Sequence, residues 1–301
     1  MTVLIVGSGR SGTSLNAMIL EALGLDVGNR EQMRPATDLN PQGYFENVPL
    51  LDFIGERISP LFPSGPFTKN AFGRGWQTRP GVPELLADGR ALWQSLKTSD
   101  SMLFKFFEVG YHLPLWREII DDEIVFVVAF RDPYEVTTSY QSVASFFSRR
   151  PDSVAYRLFR WSTLYQRLLN EIEGSKAFFV EYGQLLAEPE RVITDLADTL
   201  VAWGIVPGPV DTSAALSLVE PTLYRSGRTR PLPSATLRPR TKGMYESLQR
   251  LSGRHDSFHW ADRVSDGRDL FSILLIRSRM ALRPVRGVFR RTVASLKTGG
   301  E

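Results

Sequence analysis

Val3-Leu4-Ile5-Val6-Gly7-Ser8-Gly9-Arg10-Ser11-Gly12-Thr13-Ser14 opens the chain with an aliphatic run, a glycine-rich loop and the start of an apolar helical pattern that continues to Leu23. Consecutive apolar residues without polar alternation read as a strand buried on both faces, the usual state of a strand in a parallel sheet. Gly24 follows as a helix C-terminal cap. A strand, a glycine loop and a helix in this order aim backbone N–H groups and a helix N-terminus at one point, where an anion is stabilised. The spacing Gly7-x4-Gly12 is that of a phosphate loop. A nucleoside-triphosphate loop continues with Lys and then Ser or Thr, the lysine on the terminal phosphates and the hydroxyl on magnesium. Here Thr13 stands in the lysine's place and the cation lies inside the loop as Arg10, which moves the expectation from a magnesium nucleotide to a phosphosulfate. The alternative, a dinucleotide-binding glycine turn, requires G-x-G-x-x-G, which this loop does not have.

Downstream, Leu103 to Phe107 and Ile124 to Phe130 read as buried strands, the second an unbroken β-branched and aromatic run. Asp132 and Pro133 start a helix, Asp132 as cap, Pro133 at the first helical position and Glu135 completing the capping pattern. A second helix is expected from Pro151, with Val154, Leu158, Trp161, Tyr165 and Leu168 at helical spacing. A strand at Ala177 to Val180, a turn after Tyr182 and a helix from Pro189 to Trp203 continue the series. Alternating strands and helices predict an α/β fold with a doubly wound parallel sheet and helices on both faces. The proline- and glycine-crowded stretch from Ser59 to Pro83 reads as an irregular lid or binding loop, its aromatics Phe67, Phe72 and Trp76 facing an acceptor or acting as folding glue. Between Leu270 and Gly300 there are seven Lys or Arg and no acidic residue. The expected organisation is therefore a domain over 1–252 and a basic extension over 253–301.

The 301 residues, 43% hydrophobic and 11% aromatic, suffice for a full core. With no cysteine, a disulfide framework, a zinc–thiolate site and a catalytic thiol are all excluded. The chain runs straight into its first strand without a basic leader, and no apolar stretch approaches the roughly 18 residues needed to cross a bilayer, so a cytoplasmic protein is expected. A net charge of +3 is too small for general nucleic-acid binding, which is not expected. The apolar Phe271 to Ile276 followed by Arg277, Arg279, Arg283, Arg286, Arg290 and Arg291 is a candidate peripheral membrane contact; a helix packed on the domain with solvated arginines is the equal alternative.

Arg10-Ser11-Gly12-Thr13-Ser14, between first strand and first helix, resembles the 5′-phosphosulfate loop of the sulfotransferase family, K/R-S-G-T-T/S. A second signature of that family, a strand, then R-(D/N)-P and a serine eight residues after the arginine, is matched by Val127 to Phe130, Arg131-Asp132-Pro133 and Ser139. Val180-Glu181-Tyr182-Gly183-Gln184-Leu185-Leu186 resembles the family's Y-E-D-L-L segment. The resemblance covers about residues 2 to 250 in ordered fragments. It departs at the segment W-K-D-P-R, of which only Lys105 is kept, and at G-K-x-G, for which Arg228, Arg230, Arg240 and Lys242 are the available late phosphate contacts.

The resemblance implies a P-loop-related sulfotransferase fold and metal-free in-line transfer of a sulfuryl group from 3′-phosphoadenosine 5′-phosphosulfate (PAPS), leaving adenosine 3′,5′-bisphosphate (PAP). The acceptor is a hydroxyl or amine of a small molecule, glycan or lipid-linked compound. Gly9, Arg10, Ser11, Gly12, Thr13 and Ser14 would hold the 5′ end and Arg131 and Ser139 the 3′-phosphate, with Tyr182 near adenine and Arg228 and Arg230 as late contacts. Arg131 in an ion pair with a neighbouring acid, Ser139 as an ordinary helix-surface serine and Tyr182 as a packed strand-end aromatic are the structural alternatives. Arg10 and Lys105 are the catalytic cations, because charge develops on the leaving oxygen. Three residues are candidates for the base: Glu46 in Asn40-Pro41-Gln42-Gly43-Tyr44-Phe45-Glu46, which resembles the N-P-x-G-Y-(F/W)-E segment of bacterial sulfotransferase-like proteins; Glu31; and His112 in His112-Leu113-Pro114-Leu115. Two other functions fit parts of the pattern: a P-loop kinase or nucleotidase, and a non-catalytic anion-binding scaffold.

Overall fold

The computed structural model describes residues 1–38, 40, 42–63, 72–106, 109–146, 154–220 and 239–260, with 141–146 and 239 given by backbone alone. The chain runs β1 (Thr2–Gly7), α1 (Thr13–Ala22), the short helices α2 (Val48–Phe53) and α3 (Ser59–Leu61), α4 (Val82–Leu96) and β2 (Met102–Phe106). It continues with α5 (Leu113–Ile119), β3 (Ile124–Phe130), α6 (Pro133–Phe146), α7 (Val154–Glu171), β4 (Ala177–Glu181) and α8 (Tyr182–Ala187). Last come α9 (Pro189–Ala202), α10 (Ser213–Ser217), α11 (Pro239–Arg250) and β5 (Gly253–His255). α8 stands where a simple turn was expected after Tyr182.

The sheet order is β2-β1-β3-β4-β5. β1 to β4 are parallel, as expected, whereas β5 joins the β4 edge antiparallel and makes the sheet mixed. Because side chains alternate across a strand, each strand feeds two cores. Leu4, Val6, Phe126 and Val128 pack with Trp93, Trp116, Trp161 and Leu168 from α4, α5 and α7. Val3, Ile5, Val125 and Val127 pack with Ile19, Leu20, Ile193 and Leu196 from α1 and α9. Helices therefore cover both faces. β5 and the buried Trp260 belong to a compact unit, Met1–Asp262, that runs past the boundary expected at 252/253. The basic segment 263–301 lies outside the described residues, and with it the candidate membrane contact. Among the described residues no helix is long and apolar enough to cross a membrane.

The described part of the expected lid contributes to the core. Phe62 stacks on Phe72 at 4.8 Å, and Trp76 meets both rings edge-on at 5.7 and 4.9 Å. Of the two readings of this aromatic stretch, folding glue describes Phe72 and Trp76; Phe67 lies outside the described residues.

The parallel strands end together, and their close approach there is specific. Gly7 pairs in register with Ala129 and has φ 147°. A Cβ at Gly7 would lie 2.1 Å from the Ala129 carbonyl oxygen, which belongs to β3 and is not free to move. Gly7→Ala is therefore expected to lower the unfolding free energy by about 3 kcal/mol, through overpacking and an unfavourable φ; urea denaturation of the full chain measures it.

Candidate functional site

The loop from Ser8 to Gly12 leaves β1 at the carboxyl ends of the strands, where doubly wound sheets bind ligands. Ser11 N–H donates to Ser8 O at 3.2 Å, and Arg10 takes a left-handed conformation, φ 67°. That conformation is uncommon for a residue with a side chain, and here it turns the guanidinium toward α6. Arg10 Nε donates to Ser139 Oγ at 2.9 Å, and Arg131 Nη1 lies 3.4 Å from Arg10 O. The loop cation and both residues of the second signature thus form one contact group.

The cap on α6 places Arg131 and Ser139: Asp132 Oδ1 accepts from Tyr134 N at 2.7 Å and from Glu135 N at 3.2 Å. Glu135 accepts from Arg131 Nε at 2.8 Å. The ion-pair alternative for Arg131 is therefore realised together with its approach to the loop. Tyr182 supports both. Its ring lies 4.4 Å beneath the Arg131 guanidinium, and its edge abuts Gly12, where a Cβ would come within 2.4 Å of Tyr182 Cδ2. Gly12, at φ 83°, has neither the room nor the conformation for a side chain.

A second group joins the first through Ser14, in the opening turn of α1. Lys105, on β2, donates to Ser14 Oγ at 3.1 Å, to Tyr44 O, and to Glu46 Oε1 at 3.1 Å. Glu46 is 3% exposed and takes its other cation, Arg34 Nη1, on Oε2 at 2.8 Å. The Arg34 guanidinium lies 4.0 Å over the Tyr44 ring, and Arg34 N–H donates to Glu46 O at 2.7 Å. Asn40 Nδ2 donates to Ser14 Oγ at 3.2 Å and to Gly43 O. The segment that opens with Asn40 and ends in Glu46 is thus strapped across the start of α1, with Phe45 held at φ 53°. Burial pushes the Lys105 ammonium below its ordinary value; Glu46 opposes this, and Arg34 and Arg10 add to it. Tyr140 senses Arg10, Arg157 and Glu46, and burial pushes its phenol up to about 12.

The three base candidates have different surroundings. Glu46 lies in the group around Ser14. Glu31 is exposed on a 3-10 turn whose N–H bonds Asn29 Oδ1. Its neighbour Arg30 pairs with Glu21 in the last turn of α1, about 12 Å along the helix from Thr13 at 1.5 Å per residue. His112 is buried and its Nε2 donates to Phe62 O at 2.8 Å, which fastens the start of the 59–83 stretch to the core. Arg228 and Arg230 lie outside the described residues. Among the described residues no group of His, Cys, Asp or Glu has the arrangement of a metal site.

The sequence does not mark Arg34, Tyr140 or Tyr165 as site residues: Arg34 and Tyr140 belong to no motif of their own, and Tyr165 fits the apolar stripe of α7, so its hydroxyl leaves no trace in the periodicity.

No protein-family model matches the chain, and none of the curated proteins matches it. Solved structures similar to it include the sulfotransferase domain from the Synechococcus PCC 7002 olefin synthase, at 16% identity over 82% of this chain and 94% of that one, with a TM-score of 0.44. Another is the sulfotransferase domain from the curacin biosynthetic pathway, at 15% identity over 82% of this chain and 96% of that one, with a TM-score of 0.46.

His112 yields a pH-dependent prediction. Burial holds its imidazole below the ordinary 6.5. Below that pH the unfolded chain takes up a proton that the folded chain refuses, so stability falls as pH falls, with a slope of at most about 1.4 kcal/mol per pH unit. His112→Gln keeps an N–H donor for Phe62 O and removes the titration. Urea denaturation at a series of pH values is expected to show a shallower acid-side loss for the variant, with turnover retained.

Proposed function

We propose that the chain is a sulfotransferase that uses PAPS as donor and transfers its sulfuryl group to a hydroxyl or amine without a metal. The observation that carries this reading is the Arg10–Ser139 hydrogen bond with Arg131 beside it. It brings the loop proposed for the 5′ end of a phosphosulfate against the pair proposed for a 3′-phosphate. A nucleotide kinase would instead place a lysine after Gly12 and a magnesium-binding acid at the end of β3; the residues there are Thr13 and Arg131.

On this reading the amides opening α1 and the hydroxyls of Thr13 and Ser14 hold the 5′-phosphate. Arg131 and Ser139 hold the 3′-phosphate, an arrangement suited to a guanidinium fork and a hydroxyl. Arg10 and Lys105 stabilise the charge that grows on the leaving oxygen; fixed cations lose little to reorganisation there. Glu46 takes the acceptor's proton through the lone pairs that its two cation contacts leave open. The acceptor is a small molecule, a glycan or a lipid-linked compound, and the setting is cytoplasmic.

Calorimetric titration with PAP, compared with ATP plus magnesium, tests the donor; preference for ATP plus magnesium would remove the proposal. Arg131→Ala is expected to weaken PAP by about 2 kcal/mol, the scale of a charged hydrogen bond, and to leave AMP, which lacks the 3′-phosphate, little changed. Glu46→Gln is expected to lower turnover at least roughly 100-fold. It should also cost about 3 kcal/mol of stability, because Lys105 loses a buried partner. Full turnover in that variant would exclude Glu46 as the base.

A further inference from the structure

Tyr165 is buried on α7 and packs its ring on Trp161 at 4.6 Å. Packing accounts for the ring but not for the hydroxyl. The hydroxyl accepts from Ser8 N–H at 3.0 Å, donates to Ala129 O at 2.7 Å, and stands 3.4 Å from Ser11 Oγ. Burial pushes the phenol up to about 12, against the pull of Ser11 and Ser8, so it keeps the proton it donates. Ala129 is the register partner of Gly7, so one hydroxyl ties the ends of β1 and β3 to the first residue of the loop. Ser8 N–H is thereby turned into the protein. Ser11 N–H closes back on Ser8 O, and the chain reaches Arg10 in the left-handed conformation that meets Ser139. The same helix holds α6, because Arg157 Nη1 donates to Thr137 O at 3.0 Å.

We propose that Tyr165 is a positioning residue: its hydroxyl sets the path of Gly7 to Ser11 so that Arg10 and the N-terminus of α1 face the bound anion. The identity of that anion rests on the sulfotransferase reading; the positioning does not. A residue that only filled the core would be replaced by phenylalanine without consequence for the loop.

Tyr165→Phe in the full chain tests this by site-resolved hydrogen exchange and PAP titration. Ser8 N–H is expected to lose roughly tenfold or more in protection while Val3 to Val6 keep theirs. PAP is expected to bind about fivefold or more weakly, the scale of one lost hydrogen bond. Equal loss of protection in strand and loop, unchanged Ser8 exchange, or PAP affinity within about twofold of wild type each overturns the proposal. If the wild-type protein binds no PAP, the sulfotransferase reading fails, and Ser8 exchange alone then decides the role of Tyr165. If the variant does not fold, the wild-type protein decides: Ser8 N–H exchanging as slowly as its β1 neighbours supports the proposal, and fast exchange overturns it.

Discussion

β1 and β3 come so close at the carboxyl edge of the sheet that Gly7 faces the Ala129 carbonyl with no space for a side chain. This approach makes the rest of the site possible. It lets a single hydroxyl from α7 reach Ala129 O and Ser8 N–H together, and it starts the loop in the direction that carries Arg10 toward Ser139. Strand pairing, the loop and the helix behind them therefore depend on one backbone contact. A larger residue at position 7 would separate all three.

Around that contact the site gathers cations that would repel one another if left unpaired. Arg10, Arg34, Lys105 and Arg131 approach the start of α1, and Glu46 and Glu135 hold three of them: Glu46 takes Arg34 and Lys105, and Glu135 takes Arg131. Arg10 is bonded to the neutral Ser139 hydroxyl. The excess is positive. Burial is the main cause of the downward shift of Lys105; Glu46 opposes it, and Arg34 and Arg10 add a smaller repulsion. An anion arriving at the helix N-terminus would relieve that repulsion.

The asparagine-to-glutamate segment shows how a sequence pattern and its structural meaning differ. Read as a pattern, Glu46 is a carboxylate near the loop. In the fold, Asn40 and Tyr44 work with it: Asn40 bonds Ser14, Tyr44 supplies its carbonyl to Lys105 and its ring to Arg34, and the left-handed Phe45 turns the chain between them. His112 shows the converse. A histidine in a suggestive tetrapeptide is a buried donor to Phe62 O, and its environment favours the neutral ring.

The amino-acid sequence by itself determined the α/β alternation, the buried parallel strands, the glycine loop and the Asp132 cap of α6, because each rests on local periodicity, backbone freedom or a hydrogen bond within a few residues. The antiparallel edge strand β5 was beyond its reach, since three residues carry no periodicity and their partners in β4 lie more than seventy positions earlier in the chain. Only the tertiary structure decided which charged and phenolic groups meet. Tyr165 reaches Ser8 across 157 positions, Lys105 reaches Ser14 across 91, and Arg10 reaches Ser139 across 129. Contacts over such separations are set by how the helices dock on the sheet, through burial that does not distinguish a tyrosine from a phenylalanine until the hydroxyl finds its partners.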